Sequence, residues 1–355
     1  KRFYANIRHT SNSQGTSLSA KGQTAFGTRF RTGHLNNSNI NTSLRAHYFS
    51  VMATEDNTTV NFSDISPGIT FVGGVAPSSV TLNQYESYVV GVKMNESNNY
   101  QSPTALIGTL VTSDKPIAMN TGSWLAGGHT SGHDIGSDQP LPTNYLGTQF
   151  IVNKGGATGN AGVLETPIVV ADSDNTEIFL KGSATAVASI DAGEFYVISG
   201  TEYPASGSMF FRTSKPAYVY QSTSSNDNTG PGMNYIAAII PNLEVQELVI
   251  PDADELGSPT ISIVAPTTST LTVDGIVQGG GASIDGTADF LLYKVTGKTG
   301  HVNVTCTEPY FVSMVTVSGA RGSAGYFVGF PNSFAVRDAA TTAPNTSVDI
   351  DVLAN

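Results

Sequence analysis

The chain has 355 residues, more than one ordinary core organises, so two or three modules are expected. Only 13% of the residues are charged and the net charge is −11, which excludes a general nucleic-acid binder. No run of 18 apolar residues marks a membrane-spanning helix, and the single cysteine, Cys306, excludes a disulfide within the chain.

In chain order, residues 1–45 come first. They carry Lys1, Arg2, Arg8, Lys21, Arg29, Arg31 and Arg45 and no Asp or Glu, giving +7 here and −18 over the rest. Such an arm is expected to be ordered and to lie against an acidic body. Within it, "RFYANIR" alternates in polarity and is expected to add an extra edge strand over residues 1–19.

Beyond the arm the chain is rich in Gly, Ser, Thr and Asn, with Val, Ile, Tyr and Phe filling the apolar stretches, and it shows no sustained helical periodicity. An all-β fold follows. Three segments resemble one another: "VMATEDNTTVNF" (51–62), "VVADSDNTEIFL" (169–180) and "IVAPTTSTLTV" (263–273), which align Ala53, Ala171 and Ala265. Downstream, Glu86, Glu194 and Asp289 align, then Pro116, Pro216 and Pro309. The alanine-to-proline spacing is 63, 45 and 44 residues, so the first copy carries an insertion near 92–103. Upstream, "FGTRF" (26–30) matches "LGTQF" (146–150), with "VQELV" (245–249) a weaker third.

In the second copy, "QFIV", "TPIVVA", "TEIFLKG", "EFYVISG", "SMFFRTS" and "AYVYQST" read as six short strands. Six strands are too many for a propeller blade and suit a jelly-roll-like β-sandwich. The expected organisation is an edge segment (1–19) and three sandwich modules (20–143, 144–241 and 242–334). The tail "TTAPNTSVDIDVLAN" (341–355) reads as part of a linker, 335–355, into a following module.

Within the second copy, "DSDN" (172–175), followed by Glu177, has the look of a calcium loop, but Glu177 stands where an EF-hand needs Gly and Ser183 where it needs Glu. The third copy has no carboxylate there, so a hairpin turn that does not depend on calcium is expected. "GGATGNAG" (155–162) lacks a phosphate loop's helix and reads as a flexible hairpin loop, and "TGKTG" (296–300) has Leu292 where a P-loop requires Gly. Cys306 alternates with Val302 and Val304 and is expected to be a buried structural thiol.

The three copies differ most after the aligned prolines. The first of these loops, "GSWLAGGHTSGHDIGSDQPLP" (122–142), holds the only tryptophan, Trp124, with His129, His133, Asp134 and Asp138. Its glycines argue against the helix that would place His129 and His133 on one zinc-binding face. Ligand contact is assigned to Trp124, His133, Asp134 and Asp138, an aromatic platform among polar groups. No catalytic, metal or cofactor constellation stands out.

"GTRFRTGH", "VMATEDNTTV", "LVTSDKPIAMNTGSW", "DIGSDQPLP", "AYVYQS" and "RGSAGYFVGF" together resemble the IgGFc-binding-protein N-terminal domain family, in the bacterial branch found in very large surface proteins of Bacteroidetes. The resemblance covers about residues 1–335. It implies an extracellular binding domain, not an enzyme, without a cofactor. It further implies a multi-domain adhesin at the bacterial cell surface, of the kind exported by type IX secretion and associated with gliding motility. The partner would be a polysaccharide, a glycoprotein or another cell surface. Immunoglobulin binding belongs to the animal relatives and is not carried over. A structural spacer of a motility or secretion machine is the alternative, and a glycan-active enzyme comes third.

Overall fold

The computed structural model describes residues 5–11, 14–36, 46–74, 78–93, 104–127, 133–159, 161–227, 232–239, 247–250, 252–255, 257–318 and 321–326. Within them the fold is all-β, as the composition implies; the one α-helix, α1 (Ala161–Leu164), is a single turn.

Strands β1 (Ala5–Ser11) and β2 (Gln14–Ala20) form an antiparallel hairpin. Next come β3 (Phe26–Arg31), β4 (Ala46–Ala53), β5 (Thr58–Ser63), β6 (Ser79–Leu82), β7 (Ser87–Lys93), the long β8 (Leu110–Gly127) and β9 (His133–Asp138). They pair in the order β6-β5-β8-β4-β7, with β3 and β9 also on β8. The following strands are β10 (Gly147–Asn153), β11 (Pro167–Ala171), β12 (Thr176–Leu180), β13 (Ala188–Ile190), β14 (Phe195–Val197), the long β15 (Ser208–Thr223) and β16 (Gly232–Tyr235). Their order, β13-β12-β15-β11-β14 with β10 and β16 on β15, matches that of the first set strand for strand.

The last set is β17 (Leu248–Ile250), β18 (Ser258–Pro266), β19 (Leu271–Val273), β20 (Ile276–Val277), β21 (Ala282–Ile284), β22 (Thr287–Thr296), β23 (Val302–Cys306), β24 (Phe311–Ser318) and β25 (Arg321–Tyr326). These form two sheets, β17-β23-β19-β20 and β21-β22-β18-β24-β25. The single long strand of the other sets is here two strands, β23 and β24, on either side of Pro309. Proline lacks the N–H that a continuous ladder needs. In β8 and β15 the strand runs on past Pro116 and Pro216, but the ladder to β3 and β10 slips register there.

Each long strand therefore serves two sheets. The first half of β15 pairs with β10 and β12, the second half with β11 and β16, and the core of Phe150, Val169, Ile178, Phe211 and Val219 lies between them. Equivalent cores form around Phe49, Val60 and Met119 in the first set and around Ile263, Val304 and Val312 in the third. This is sandwich packing with one strand passing from sheet to sheet. The sheet-changing point explains the aligned alanines. Ala53, Ala171 and Ala265 are fully buried there, and the first two sit opposite Ile117 and Ala217, each directly after its proline. Cys306 faces the third core beside Val302 and Val304, as the alternation indicated.

Three expectations need correction. The "DSDN" segment is a turn, with Asn175 in the left-handed region at φ 54°, but it does not close a hairpin. β11 and β12 pair with opposite halves of β15 and not with each other, so the turn arches between sheets. Asn57, also at φ 54°, plays the same part between β4 and β5. Second, the glycine-rich loop is pinned and not free. Gly155 and Ala157 donate to the Glu165 carboxylate, Thr158 and Gly159 to Asp227, and α1 follows. Third, β1 pairs with β2 and joins no sandwich sheet among the described residues; β2 runs beside β9 and β25.

The basic residues beyond that hairpin do meet acidic partners. Lys21 pairs with Asp138 at 2.7 Å, Arg29 with Asp172 at 2.8 Å, and Arg31 with Asp172 at 3.0 Å and Asp64 at 2.9 Å. Asp172 is the first carboxylate of the calcium-like segment, and two guanidinium groups against it oppose a cation. The second, Asp174, accepts the Ala192 backbone N–H. Thermal melting with and without a chelator should therefore coincide, whereas Asp172→Ala should cost about 2 kcal/mol by leaving the buried Arg31 with the Gly108 carbonyl and the half-exposed Asp64. A chelator-induced drop in melting temperature that Asp172→Ala abolishes would overturn this.

The three sandwiches pack in series. Between the first and second lies an apolar layer that includes Ala25, Leu35 and Ile107 from one side and Ile168, Tyr218 and Tyr220 from the other. Tyr220 donates from its hydroxyl to the Arg31 carbonyl at 2.6 Å, and a β-carbon at Gly33 would lie 2.2 Å from its ring. Between the second and third, Ile151 and Phe210 meet Val264 and Phe311, and the Asn153 amide donates to Ser313 at 3.1 Å.

Candidate functional site

The β8–β9 hairpin carries the residues singled out for ligand contact. β8 alternates, with Thr121 and Ser123 turned inward and fully buried, and Trp124 turned outward and 50% exposed. Opposite Trp124 in the ladder stands Ala46 of β4. His133 and Asp134 open β9, paired with Gly127 and Ala126 after a register shift beyond Ser123. Trp124, His133 and Asp134 thus belong to one end of one hairpin. His129 lies outside the described residues.

Asp138, at the far end of β9, is different. It is 2% exposed, and its carboxylate accepts from Lys21 Nζ, from its neighbour Gln139 N and from Tyr235 N. Its oxygens are thus bonded within the fold, and it anchors β9 to β16. Gly136 lies against Met233 just as Asp138 lies against Tyr235, so β9 and β16 run in the same direction and their hairpins point to the same end. β25 lies beside β16 in turn.

Under the hairpin sits a buried pair that the sequence reading missed. His34 and His47 stack with ring centroids 3.6 Å apart and planes 13° from parallel. His47 Nδ1 meets Ser123 Oγ at 2.7 Å, and His34 Nε2 accepts the Leu106 N–H at 3.2 Å. Burial holds the His34 imidazole down to about 4, against its contact with the Leu35 carbonyl, so it is neutral at physiological pH. The histidines are 13 residues apart in sequence and had no distinctive spacing.

The outward face beside Trp124 was also missed. Across β7, β4, β8 and β9 the register sets Val89, Ser50 and Asn120 in one row and Gly91, Tyr48, Gly122 and Ser137 in the next. Tyr48 donates to Ser137 at 2.8 Å, and Ser137 donates to Asn120 Oδ1 at 2.9 Å. Burial and that hydrogen bonding act on the Tyr48 hydroxyl, and burial prevails, raising its pKa. In "HYFSVMA" the inward Phe49, Val51 and Ala53 alternate with Tyr48 and Ser50, but "MNTGSW" has no such alternation, so the face was not readable from the sequence pattern.

The sequence profile of the IgGFc binding protein family matches residues 15–317, from β2 through to β24. The chain belongs to the IgGFc binding protein family. The family match takes in all three sandwiches together with the Trp124 hairpin. No curated protein and no solved structure matches the chain. No described helix of this family member is long and apolar enough to cross a membrane, and no group of three or more described His, Cys, Asp or Glu residues is arranged to hold a metal ion.

Proposed function

We propose that the chain is an extracellular binding domain of a large bacterial surface adhesin. Its modules, 20–143, 144–241 and 242–334, are copies of one sandwich preceded by the segment 1–19, and 335–355 leads into further domains. The domain holds a cell surface, polysaccharide or glycoprotein and does no covalent chemistry. The observation that carries this reading is the β8–β9 hairpin. It is the counterpart of β15–β16 and β24–β25, and it presents the only tryptophan half exposed on a rigid scaffold. Family membership supports a binding role. Trp124, His133 and Asp134 make the contact, and Asp138 fixes the strand behind them.

The test is binding of the isolated domain to cells and to immobilised glycans. His133→Ala combined with Asp134→Ala should reduce binding at least tenfold, a loss of about 1.4 kcal/mol, with an unchanged melting curve. Unchanged binding would remove the hairpin from the contact. A native domain that binds no surface would favour a spacer.

A further inference from the structure

We infer that the outward face of β7, β4 and β8, next to Trp124, is a binding platform for a neutral polysaccharide. This rests on the binding reading above and names its ligand chemistry.

The argument comes from the sister faces. Three residues before the aligned alanines stand Ser50, Ile168 and Ser262; four after the aligned prolines stand Asn120, Tyr220 and Ser313. In the second sandwich this face is covered by the first: Ile168 and Tyr220 are buried, and Tyr220 takes the Arg31 carbonyl. In the third it is covered by the second, with Ser313 meeting Asn153. Gly33, just past β3, and Asn153, the last residue of β10, are equivalent, each three residues past Phe30 or Phe150, so the two contacts are one interface used twice.

In the first sandwich the same face is not buried. Val89 is 61% exposed and Trp124 50%, while Tyr48, Ser50 and Asn120 are partly exposed. Its chemistry has also changed. Ile168 becomes Ser50, Tyr220 becomes Asn120, and buried Ser224 becomes Trp124. The covered face of the third sandwich also carries serines, Ser262 and Ser313, so what sets this face apart is its exposure and Trp124. It offers a hydroxyl, an amide whose Oδ1 is already engaged, and a flat aromatic ring. Those groups suit a sugar's hydroxyls and its apolar ring face. In a chain of net charge −11, neither row carries a charged side chain, and the nearest in register is Lys93 at the rim, opposite Ala46. An uncharged ligand is therefore selected over an acidic one.

Trp124 is the only tryptophan, so its emission reports on this face directly. Titration with dextran, mannan or a β-glucan should shift the emission for at least one of them, and alginate should not. Asn120→Tyr and Val89→Arg should each weaken that binding at least tenfold with an unchanged melting curve. Val89→Arg spares the hydrogen-bonded chain, so the test does not depend on one variant folding. Binding of alginate alone, or no response to any neutral polysaccharide, would overturn the inference. So would a dimer dispersed by Asn120→Tyr, which would mean that a second copy occupies the face. Binding lost in the His133/Asp134 variant but kept in both face variants would overturn the inference and leave the adhesin reading standing. Failure of the native domain to bind any surface would end both.

Discussion

Asp138→Ala is expected to lower the free energy of unfolding by about 3–5 kcal/mol, measured by urea denaturation at neutral pH. Lys21 and Asp138 are 3% and 2% exposed, and the pair is 2.7 Å apart. Burial depresses the lysine pKa, and the Asp138 charge and hydrogen bond oppose that, so removing Asp138 leaves an ammonium group with its desolvation cost and without its partner. The same carboxylate takes the Tyr235 N–H, so the contact of β9 with β16 loses a bond as well. Lys21→Met with Asp138→Leu should recover most of the loss, because an apolar pair does not carry the cost of burying charge. A loss below about 1 kcal/mol for Asp138→Ala would show that the pair behaves like an exposed one.

The second large effect is a pH profile shaped by two buried groups of opposite sign. His34 sits near 4 in the folded state against an ordinary 6.5, with burial the leading cause. The folded protein then binds fewer protons than the unfolded chain, so the His34 contribution is complete above pH 6.5 and is lost as pH falls towards 4. The full amount is about 3 kcal/mol. Glu165 is pushed up to about 8 from 4.5, again chiefly by burial, against the backbone N–H groups of Gly155, Ala157 and Ser224. Here the folded protein binds more protons, so stability falls as pH rises from 4.5 to 8, by about 4–5 kcal/mol. Between 4.5 and 6.5 the two slopes cancel, and above 6.5 Glu165 acts alone. His34→Gln should expose a decline that starts at pH 4.5, and Glu165→Gln should flatten the profile between 6.5 and 8. Parallel profiles for the native protein and both variants would exclude these assignments.

The strands were legible because alternation is local. Ala53, Ala171 and Ala265 and the aligned prolines marked the sheet-changing point of each sandwich, although what they marked became clear only from the pairing. The misreadings concern partners far away in the chain. Asp138 has the polarity and loop setting of a ligand contact, but Lys21, which neutralises it, lies 117 residues earlier. "DSDN" reads as a hairpin because strand neighbours in sequence usually pair; here β15, made later, comes between them. At the candidate site, Trp124 was visible as a lone aromatic. Tyr48, Ser50 and Asn120 were not, since only the register of β4 on β8 brings them beside it.

The β1–β2 hairpin has a consequence for the order of assembly. It precedes the other described strands in the chain, yet β2 rests against both β9 and β25, the latter the last described strand in chain order. Each sandwich can close on its own neighbouring segments as it is synthesised, but the hairpin cannot finish docking until the third is complete. Its seat is a late, long-range step, slow to form for its loop-closure entropy. A chain interrupted before β25 would be left with unfinished contacts on β1, β2, β16 and β24, so intact synthesis through the third sandwich is a condition for a quiet surface on the elements before it.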